Sequence, residues 1–326
     1  MHKNQEKYST INIIGAGCMG HLMTMRINHK CIDSNYENLN SDSSLTKLTA
    51  RLITKHHNSV ATINYTSPNE QYSDDIHYFA LNSWEASDVI IITIKAPQLE
   101  GLCKKLAELT QLNKISSDTP IILMMNGMGL IELVESYLPN SPVFHAVTTH
   151  GVKFEKNVLI HNGRGDTYVG SLHQKSFPHL KSLCAMLDRY LPKVYESQDI
   201  QAKLWRKLFI NSVINPLTTI YQVNNGAISS DSHLNREALL LCNELTPIVS
   251  HTNTYENAEQ LFTQVCKIAE QTQNNISSMW QDHLNQRVSE IDSITGYVLK
   301  QANRLGVSLP LHSEIYRKIK RLENQF

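Results

Sequence analysis

The hexapeptide GAGCMG at positions 15–20 constrains the fold more than any other stretch of this chain. It has the glycine spacing GxGxxG, follows a mostly apolar run at 11–14 and leads into a helical pattern at 22–27. In that context Gly15 permits a tight turn, Gly17 lets a pyrophosphate approach the backbone, and Gly20 lets the helix pack closely on the strand. We therefore expect an α/β, Rossmann-type dinucleotide-binding domain with phosphates at the helix N-terminus. The predicted cofactor contacts in this motif are Gly15, Ala16, Gly17, Cys18, Met19 and Gly20.

Two continuous apolar runs, at 88–94 and 120–125, predict buried strands of a parallel sheet that is covered on both faces. Each is followed by a helical pattern, at 99–109 and 130–138. Lys95 and Asn126 come directly after these strands, at equivalent places. Because open α/β sheets bind ligands at the carboxyl ends of their strands, we predict that both residues lie at a ligand site.

The region that should hold the second strand fits the pattern poorly. A dinucleotide fold places that strand, with its ribose-reading residue, about 20 residues after the glycines, but residues 33–44 are polar and rich in Asn and Ser. Either the first connection is extended or the second strand is displaced to about 46–55. Arg51 and Lys55 could receive a 2′-phosphate and Asp42 could bind a 2′-hydroxyl, so the ribose contact stays open.

The rest of the first domain is predicted from further strand patterns at 60–65, 76–81 and 143–149. The runs at 158–161 and 167–170, separated by the turn sequence NGRG, indicate a hairpin. A helix at 180–190 and a short strand near 194–195 complete the domain. We place the domain boundary between residues 198 and 199.

The second domain, 199–326, is predicted to be all-helical, with helices at 203–223, 234–252, 258–274, 278–305 and 312–325. In the first of these, Lys207, Asn211 and Asn215 fall at i, i+4 and i+8 and form one polar stripe. The other sides of this helix are apolar, which is typical of a buried helix. A buried ammonium or amide without a partner is costly. The stripe therefore either finds partners inside the protein or lines a cleft and binds a ligand.

Composition excludes several function classes. The formal net charge is +0, with 41% hydrophobic and 18% charged residues, so no global charge favours nucleic acid or an anionic membrane. The longest apolar run is far shorter than a membrane span. The six cysteines are scattered without a CxxC pair and HExxH is absent, so no metal site is expected and a reducing cytoplasm is predicted.

The sequence blocks along the chain resemble those of the ketopantoate reductase (2-dehydropantoate 2-reductase) family from about residue 11 to 325. In the first half they are GAGCMG at 15–20, TIKAPQ at 93–98, NGMG at 126–129 and TTHG at 148–151. In the second half they are WRKL at 205–208, Asn211, NPLT at 215–218, NG at 225–226, ISSM at 276–279, QD at 281–282 and EID at 290–292. Their common order and spacing over the whole chain make the resemblance specific.

The resemblance implies a Rossmann-type domain joined to an all-helical domain, with catalysis in the cleft between them. It implies NADPH-dependent reduction of ketopantoate to pantoate, a step toward pantothenate and coenzyme A. By position, Lys207 would be the catalytic acid, and Glu290 would hold its ammonium in place and keep it charged. The implied substrate contacts are Lys207, Asn211, Asn215, Asn225 and Ser278. The implied cofactor contacts are the glycine motif, Lys95, Asn126, the backbone at Val152, and Glu290.

Family members usually carry an Arg in the second-strand region, and none can be aligned here, so the preference for NADPH over NADH depends on an unidentified residue. Two other functions remain as alternatives. One is a reductase of another small 2-oxo or 3-hydroxy acid on the same scaffold. The other is a non-catalytic NADP-binding regulator, which would bind cofactor without turnover. We expect a small-molecule substrate and a monomer or homodimer.

Overall fold

The computed structural model describes residues 8–29, 48–55, 58–173, 176–191, 193–252, 254–255 and 257–326. By its internal contacts the chain divides into two compact units. The first unit comprises Met1–Ile94, Gln98–Met125 and Ile131–Ile200. The second comprises Gln201–Phe326 together with two short loops, Lys95–Pro97 and Asn126–Leu130.

The described residues of the first unit form one sheet of 11 strands. The strands are β1 (Thr10–Ile14), β2 (Thr49–Thr54), β3 (Ser59–Thr66), β4 (Gln71–Ala80), β5 (Val89–Ile92), β6 (Ile121–Leu123), β7 (Val143–Thr148), β8 (Gly151–Glu155), β9 (Val158–Gly163), β10 (Thr167–Gly170) and β11 (Val194–Glu196). Their order in the sheet is β11-β10-β7-β6-β5-β1-β2-β4-β3-β9-β8.

The central part of the sheet, β4-β2-β1-β5-β6-β7, is entirely parallel. Strand order reverses at β1, from which the chain first builds β2 and later β5 on the other side. This is the doubly wound Rossmann order, and ligands bind such sheets outside the carboxyl ends at the reversal. All four residues of β5 are fully buried, as continuous Val/Ile runs predict for a strand covered on both faces. The predicted Rossmann-type fold is therefore confirmed.

The helices of this unit are α1 (Cys18–Asn28), α2 (Leu99–Gln111), α3 (Leu130–Tyr137) and α4 (Phe177–Asp188). The sequence left two alternatives for the second strand, and the displaced position at about 46–55 is observed. Strand β2 runs from Thr49 to Thr54 and pairs in parallel with β1. Asp42, the candidate for a ribose 2′-hydroxyl, lies outside the described residues.

The predicted hairpin between 158–161 and 167–170 is wrong. Strand β9 pairs with β8 and β3, whereas β10 pairs with β7 and β11, so the two runs lie at different places in the sheet. The strand that forms a hairpin with β9 is β8, and the sequence analysis did not predict this strand. Lys156 takes the left-handed conformation (φ 55°), which allows a tight turn between β8 and β9.

The second unit is all-helical, as predicted. Its helices are α5 (Ile200–Tyr221), α6 (Ala227–Ser230), α7 (Ser232–Glu244), α8 (Thr246–Thr252), α9 (Ala258–Gln271), α10 (Ser278–Leu284), α11 (Thr295–Arg304) and α12 (Pro310–Glu323). Side chains cap three of them: Asp231 caps α7, Asn257 caps α9 and Ser277 caps α10. No described helix is both long and apolar enough to cross a membrane.

The single helix predicted over 278–305 is wrong, since it is two helices, α10 and α11, separated by an irregular segment at 285–294. Gln286 has φ 51°, which ends the helical path. The carboxylate of Glu323 accepts hydrogen bonds from the N–H and hydroxyl of Ser289, at 2.8 and 2.6 Å. These bonds replace helical ones, and Glu290 therefore lies in this segment rather than three turns into a helix. The predicted helix over 234–252 is likewise divided, into α7 and α8.

Candidate functional site

The glycine turn between β1 and α1 has the shape of a phosphate-binding loop. Gly15 has φ +120°, and a Cβ there would lie 2.8 Å from the Thr93 hydroxyl oxygen. A Cβ on Gly20 would lie 1.8 Å from the carbonyl oxygen of Gly15, so helix and strand approach more closely than any side chain allows. The Thr93 hydroxyl donates to the Gly15 carbonyl oxygen at 2.9 Å and ties the turn to the end of β5.

The outer face of the same turn is open. No atom of the described residues lies within 4 Å of the position that a Cβ on Gly17 would take, and Ala16 and Gly17 are exposed. Gly17 is the N-cap of α1, and the first turn of that helix carries no acidic side chain. The first-turn N–H groups and the helix dipole can therefore act on an anion there, and these residues fit the pyrophosphate of a dinucleotide. Cys18 and Met19 follow in the first turn of α1 and are partly buried.

His21 is a buried residue that stabilises this turn through a hydrogen bond. The sequence analysis did not identify it. Its Nδ1 lies 2.9 Å from the Gly17 carbonyl oxygen and its Nε2 lies 2.7 Å from the Tyr78 hydroxyl. Because a carbonyl oxygen only accepts, Nδ1 carries the proton and Nε2 accepts from Tyr78. Burial lowers the pKa of His21, which favours this neutral form. Its position directly after the motif is the only sequence signal for this role.

Val152, whose backbone would contact the cofactor according to the family resemblance, lies in the edge strand β8. The ring of Phe154 in this strand packs edge-on against His21 of α1, at 4.8 Å between centroids. The far edge of the sheet thus contacts the helix that begins at the glycine turn. The register with β9 shifts between Gly151 and Val152, a bulge that re-aims the backbone there.

The candidates for the adenosine ribose differ in their surroundings. Arg51 lies inside β2, forms an ion pair with Glu85 and lies over the Phe79 ring at 5.1 Å from its centroid. Lys55 directly follows the last residue of β2, at the carboxyl end, and is exposed. Of the two candidates that the structure describes, Lys55 rather than Arg51 has the position that a doubly wound sheet gives to the ribose-reading residue.

In the second unit, the buried carboxylate of Glu290 joins the two short loops to the irregular segment. Its Oε1 accepts from the Ala96 N–H at 3.3 Å, and its Oε2 accepts from the Asn126 side-chain amide at 3.0 Å. Lys95 Nζ lies 3.8 Å from Oε2. The structure therefore brings together three residues that the sequence marked separately: Lys95, Asn126 and Glu290.

Asp282, in α10, is a fourth member of this group that the sequence analysis did not assign to the site. Its Oδ2 lies 2.9 Å from Lys95 Nζ, and its side chain is 6% exposed. Burial raises the pKa of Asp282, and the Lys95 ammonium opposes that shift. The spacing of Ser278 and Asp282, i and i+4 on one helix, could have indicated that both lie on the same face.

Lys207 lies in α5 and is partly buried. Burial lowers the pKa of its ammonium below the ordinary lysine value, and the negative charge of Glu290 acts in the opposite direction. A lysine whose proton is held less tightly, while a carboxylate favours its charged form, is suited to give that proton to a substrate.

The remaining predicted residues differ in burial and partners. Asn211 is partly exposed and Asn215 is 6% exposed, one and two helical turns after Lys207 on the same stripe. The amide nitrogen of Asn225 donates to the Thr272 hydroxyl at 2.9 Å, while its Oδ1 is buried without a partner among the described residues. That oxygen is available to accept a hydrogen bond from a ligand.

Ser278 is fixed through its neighbour Ser277. The hydroxyl of Thr218, in α5, donates to the Ser277 hydroxyl oxygen at 2.8 Å, and both side chains are buried. The bond holds the start of α10 against α5, the helix of the polar stripe. No described group of three or more His, Cys, Asp or Glu residues could hold a metal ion.

Comparison with known families and proteins agrees with this arrangement. Residues 11–174 match the family model described as "Ketopantoate reductase PanE/ApbA", and residues 199–323 match "Ketopantoate reductase PanE/ApbA C terminal". Similar proteins include 2-dehydropantoate 2-reductase of Shigella flexneri, 34% identical over 240 residues, or 74% of this chain and 76% of that protein. The enzyme of the same name from Listeria innocua is 26% identical over 326 residues, or 98% of this chain and 99% of that protein.

Solved structures share the fold at lower identity. The ternary structure of D-mandelate dehydrogenase with NADH and anilino(oxo)acetate has a TM-score of 0.81 at 20% identity, covering 97% of this chain and 99% of that one. A dimeric ketopantoate reductase from Staphylococcus aureus has a TM-score of 0.74 at 19% identity, with the same coverage of both chains.

Proposed function

Because the chain belongs to the ketopantoate reductase family, we propose that it reduces 2-dehydropantoate to pantoate with NADPH as hydride donor. Pantoate is a precursor of pantothenate and coenzyme A. The proposal is supported by the family match over residues 11–174 and 199–323, together with Lys207 in α5, where burial lowers the pKa of the ammonium and the charge of Glu290 acts in the opposite direction. A non-catalytic regulator has no need of a proton donor that is tuned in this way.

We assign the cofactor to the residues that fit it best. In the first unit these are the glycine turn, with the open face at Gly17, and the backbone of Val152. In the second unit they are Lys95, Asn126 and Glu290. When bound, NADPH supplies the hydride that reduces the ketone carbon.

The preference for NADPH over NADH is supported by the end of β2. An acidic residue there would bind the 2′-hydroxyl of NADH, but β2 and the residue after it read TARLITK, without a carboxylate. The Lys55 ammonium is suited instead to a 2′-phosphate, as a strong point charge on a flexible side chain.

Lys207 acts on the substrate oxygen. Before reduction its ammonium polarises the ketone, and as negative charge develops on that oxygen Nζ transfers its proton to it. Glu290 favours the charged ammonium, so that after turnover the neutral Lys207 amine takes up a proton from water. We assign Asn211, Asn215, Asn225 and Ser278 to the hydroxyl and carboxylate groups of the substrate, since amide and hydroxyl groups can both donate and accept.

Three further parts of the proposal concern the protein as a whole. We propose a domain boundary between residues 198 and 199. We also propose that the enzyme is cytoplasmic, because its scattered cysteines suit a reducing compartment. A monomer or a homodimer is proposed as its assembly. The substrate is a small molecule, with no nucleic acid or membrane as partner.

A substrate panel tests the function. Purified protein is assayed for oxidation of NADPH and of NADH with 2-dehydropantoate, pyruvate, 2-oxoisovalerate and phenylglyoxylate. The proposal expects the highest kcat/KM for 2-dehydropantoate with NADPH. A higher kcat/KM for another 2-oxo acid would assign a different reductase, and NADPH binding without turnover of any acid would indicate a regulator.

A further inference from the structure

The turn that follows α5 and carries Asn225 is fixed to the segment that follows α9. The Asn225 N–H donates to the Asn275 carbonyl oxygen at 3.0 Å, and the Gly226 N–H donates to the Gln273 carbonyl oxygen at 3.2 Å. A Cβ on Gly226 would lie 2.7 Å from the Gln273 Cβ, so the two segments approach more closely than a side chain at 226 would allow. The main chain at Asn225 therefore has a defined position from which its side chain is directed.

The hydroxyl of Thr272 sets the orientation of the Asn225 amide. Thr272 Oγ1 lies 2.7 Å from the Ile268 carbonyl oxygen, one helical turn earlier. Because a carbonyl oxygen only accepts, the hydroxyl proton is directed at Ile268, and Oγ1 can then only accept from a second partner. The Asn225 atom that lies 2.9 Å from Oγ1 must therefore be the donating Nδ2. A flipped amide would place two acceptor oxygens against each other.

With its nitrogen bonded to Thr272, Asn225 presents Oδ1 on the other side of the amide. Oδ1 is buried without a partner among the described residues, although Asn225 as a whole is only partly buried. A buried acceptor without a partner is costly, and a ligand that donates a hydrogen bond to it removes that cost. The arrangement is therefore suited to a ligand group that carries a proton to donate.

The proposed substrate, 2-dehydropantoate, has three oxygen-containing groups. Its ketone and its ionised carboxylate only accept hydrogen bonds, whereas its terminal hydroxyl can donate one. We propose that Thr272 is a positioning residue that fixes Asn225 as the acceptor for this hydroxyl, and thereby favours a 2-oxo acid with a terminal hydroxyl over one without it. The inference rests on the proposed function in so far as Asn225 binds the substrate. Thr272 itself touches no substrate atom and acts through Asn225.

Thr272→Val removes the hydroxyl but keeps the β-branched shape of the side chain. The Ile268 carbonyl oxygen retains its bond from the backbone N–H of residue 272, at 3.0 Å, and the Asn275 N–H still donates to the carbonyl oxygen of residue 272, at 2.8 Å. The variant is therefore expected to fold, while the Asn225 amide loses the partner of its nitrogen. Thr272→Ser retains the hydroxyl and is the conservative variant.

A matched control lies in the same helix. The hydroxyl of Thr263, in α9, donates to the Glu259 carbonyl oxygen at 2.9 Å, which is the same type of bond one turn back along a helix. Thr263 is exposed. Thr263→Val therefore removes an equivalent hydroxyl without reaching Asn225, and every readout is expected to equal that of the wild type.

The orientation of the amide is tested without substrate or cofactor. Protein is prepared with ¹⁵N-labelled asparagine, and the side-chain resonance of Asn225 is assigned by its loss in Asn225→Ala. Its Nδ2 protons are expected to exchange with water roughly tenfold more slowly in the wild type and in Thr272→Ser than in Thr272→Val, because a hydrogen bond must open before exchange. Equal exchange rates in all three proteins would overturn the proposal.

Substrate selectivity is the second readout. With NADPH as donor, kcat/KM is measured for 2-dehydropantoate and for 3,3-dimethyl-2-oxobutanoate, which has the same skeleton without the hydroxyl. Thr272→Val is expected to lower the ratio of the two values roughly tenfold, since only 2-dehydropantoate loses a preoriented acceptor. Thr272→Ser should retain the wild-type ratio. A purely structural role would lower both values equally, and an unchanged ratio in Thr272→Val would overturn the proposal.

A double-mutant cycle shows whether Thr272 acts through Asn225. Asn225→Ala removes the acceptor and should lower the same ratio, and the further change Thr272→Val should then leave the ratio unmoved. An unchanged ratio in Asn225→Ala, or an equal effect of Thr272→Val in both backgrounds, would overturn the proposal. If Thr272→Val does not fold by circular dichroism, Thr272→Ala replaces it in every comparison. If the wild type reduces neither acid, the proposed function is refuted, and the exchange rates of the Asn225 amide still decide whether Thr272 orients it.

Discussion

The side-chain amide of Asn126 donates to the carboxylate of Glu290 at 3.0 Å, across 164 positions of the chain. Asn126 follows β6 and Glu290 lies in the break between α10 and α11, so neither residue belongs to a regular element. The loop of Asn126 is held further by a hydrogen bond from the Met128 N–H to the Ser293 carbonyl oxygen at 3.0 Å. Because the chain is not helical at 285–294, the Glu290 side chain can contact both loops, which a continuous helix would not allow.

Replacement of Lys207 by Ala is expected to lower kcat by roughly 100-fold or more, because it removes the proton donor from the reduction step. Cofactor binding, measured by fluorescence of bound NADPH, should persist. Lys267→Ala, which changes an exposed lysine in α9, is the matched control and should retain wild-type kcat. A near-normal kcat in Lys207→Ala would refute the acid role.

Gly17→Ala is expected to weaken cofactor binding without weakening the fold. Gly17 has φ −84°, which alanine adopts, and a Cβ there meets no atom of the part of the chain that the structure describes within 4 Å, so the unliganded protein should keep its Tm. The new methyl group would lie where the pyrophosphate must approach the backbone, and we expect the Kd for NADPH to rise roughly tenfold or more. Titration calorimetry and a thermal melt check the two parts.

Gly20→Ala is the contrasting variant, since its Cβ would lie 1.8 Å from the Gly15 carbonyl oxygen. Helix α1 would have to move away from β1, and Tm is expected to fall by roughly 5 °C or more. Equal effects of the two alanines on Tm would contradict the assignment of an open outer face and a closed inner face.

Much of this arrangement could be predicted from the sequence because its signals are local. The glycine spacing, the buried Val/Ile run of β5 and the i, i+4 stripe from Lys207 to Asn215 each follow from neighbours in the chain. The displaced second strand was also foreseen as one of two alternatives, since residues 46–55 are the first apolar stretch after the polar segment.

The features that the sequence analysis did not predict depend on contacts between residues that are far apart in the chain. Ile291, Ile294 and Val298 are buried at helical spacing, so the pattern over 278–305 resembles one helix. The bonds that break it come from Glu323, 34 positions away. Strand β8 escaped detection because Lys153 and Glu155 give it a solvent-exposed face, and its place at the sheet edge requires no continuous apolar run.

Lys55→Ala is expected to reduce the preference for NADPH over NADH. Loss of the ammonium at the end of β2 removes a partner of the 2′-phosphate, so KM for NADPH should rise roughly tenfold while KM for NADH stays the same. Arg51→Ala is the control, because that guanidinium is engaged by Glu85 and Phe79 inside the strand. If Arg51→Ala changed the ratio of the KM values for NADPH and NADH more than Lys55→Ala does, the contact to the 2′-phosphate would be assigned to Arg51 instead.

Unfolding free energy is expected to fall in acid because of two neighbouring histidines in the first unit, the buried His161 and the partly buried His150. The Tyr65 hydroxyl lies 2.9 Å from His161 Nδ1, and His161 Nε2 lies 2.9 Å from His150 Nδ1, a hydrogen bond in which one of the two ring nitrogens must accept, so the two rings cannot both be protonated. Burial, with the charges of Arg26 and Arg164, lowers the pKa of His161 to about 4, and burial with the neighbouring His161 lowers that of His150 to about 3.

Since an unfolded histidine has a pKa of about 6.5, the unfolded state binds more protons than the folded state between about pH 6.5 and pH 4. Stability is therefore complete above that range and is lost progressively as the pH falls through it. Urea midpoints measured across this range should decline with acid in the wild type and decline less in His150→Asn/His161→Gln, whose amides do not titrate. His77→Gln, which changes an exposed histidine in β4, should retain the wild-type slope. An unchanged slope in the double variant would assign the acid sensitivity to other groups.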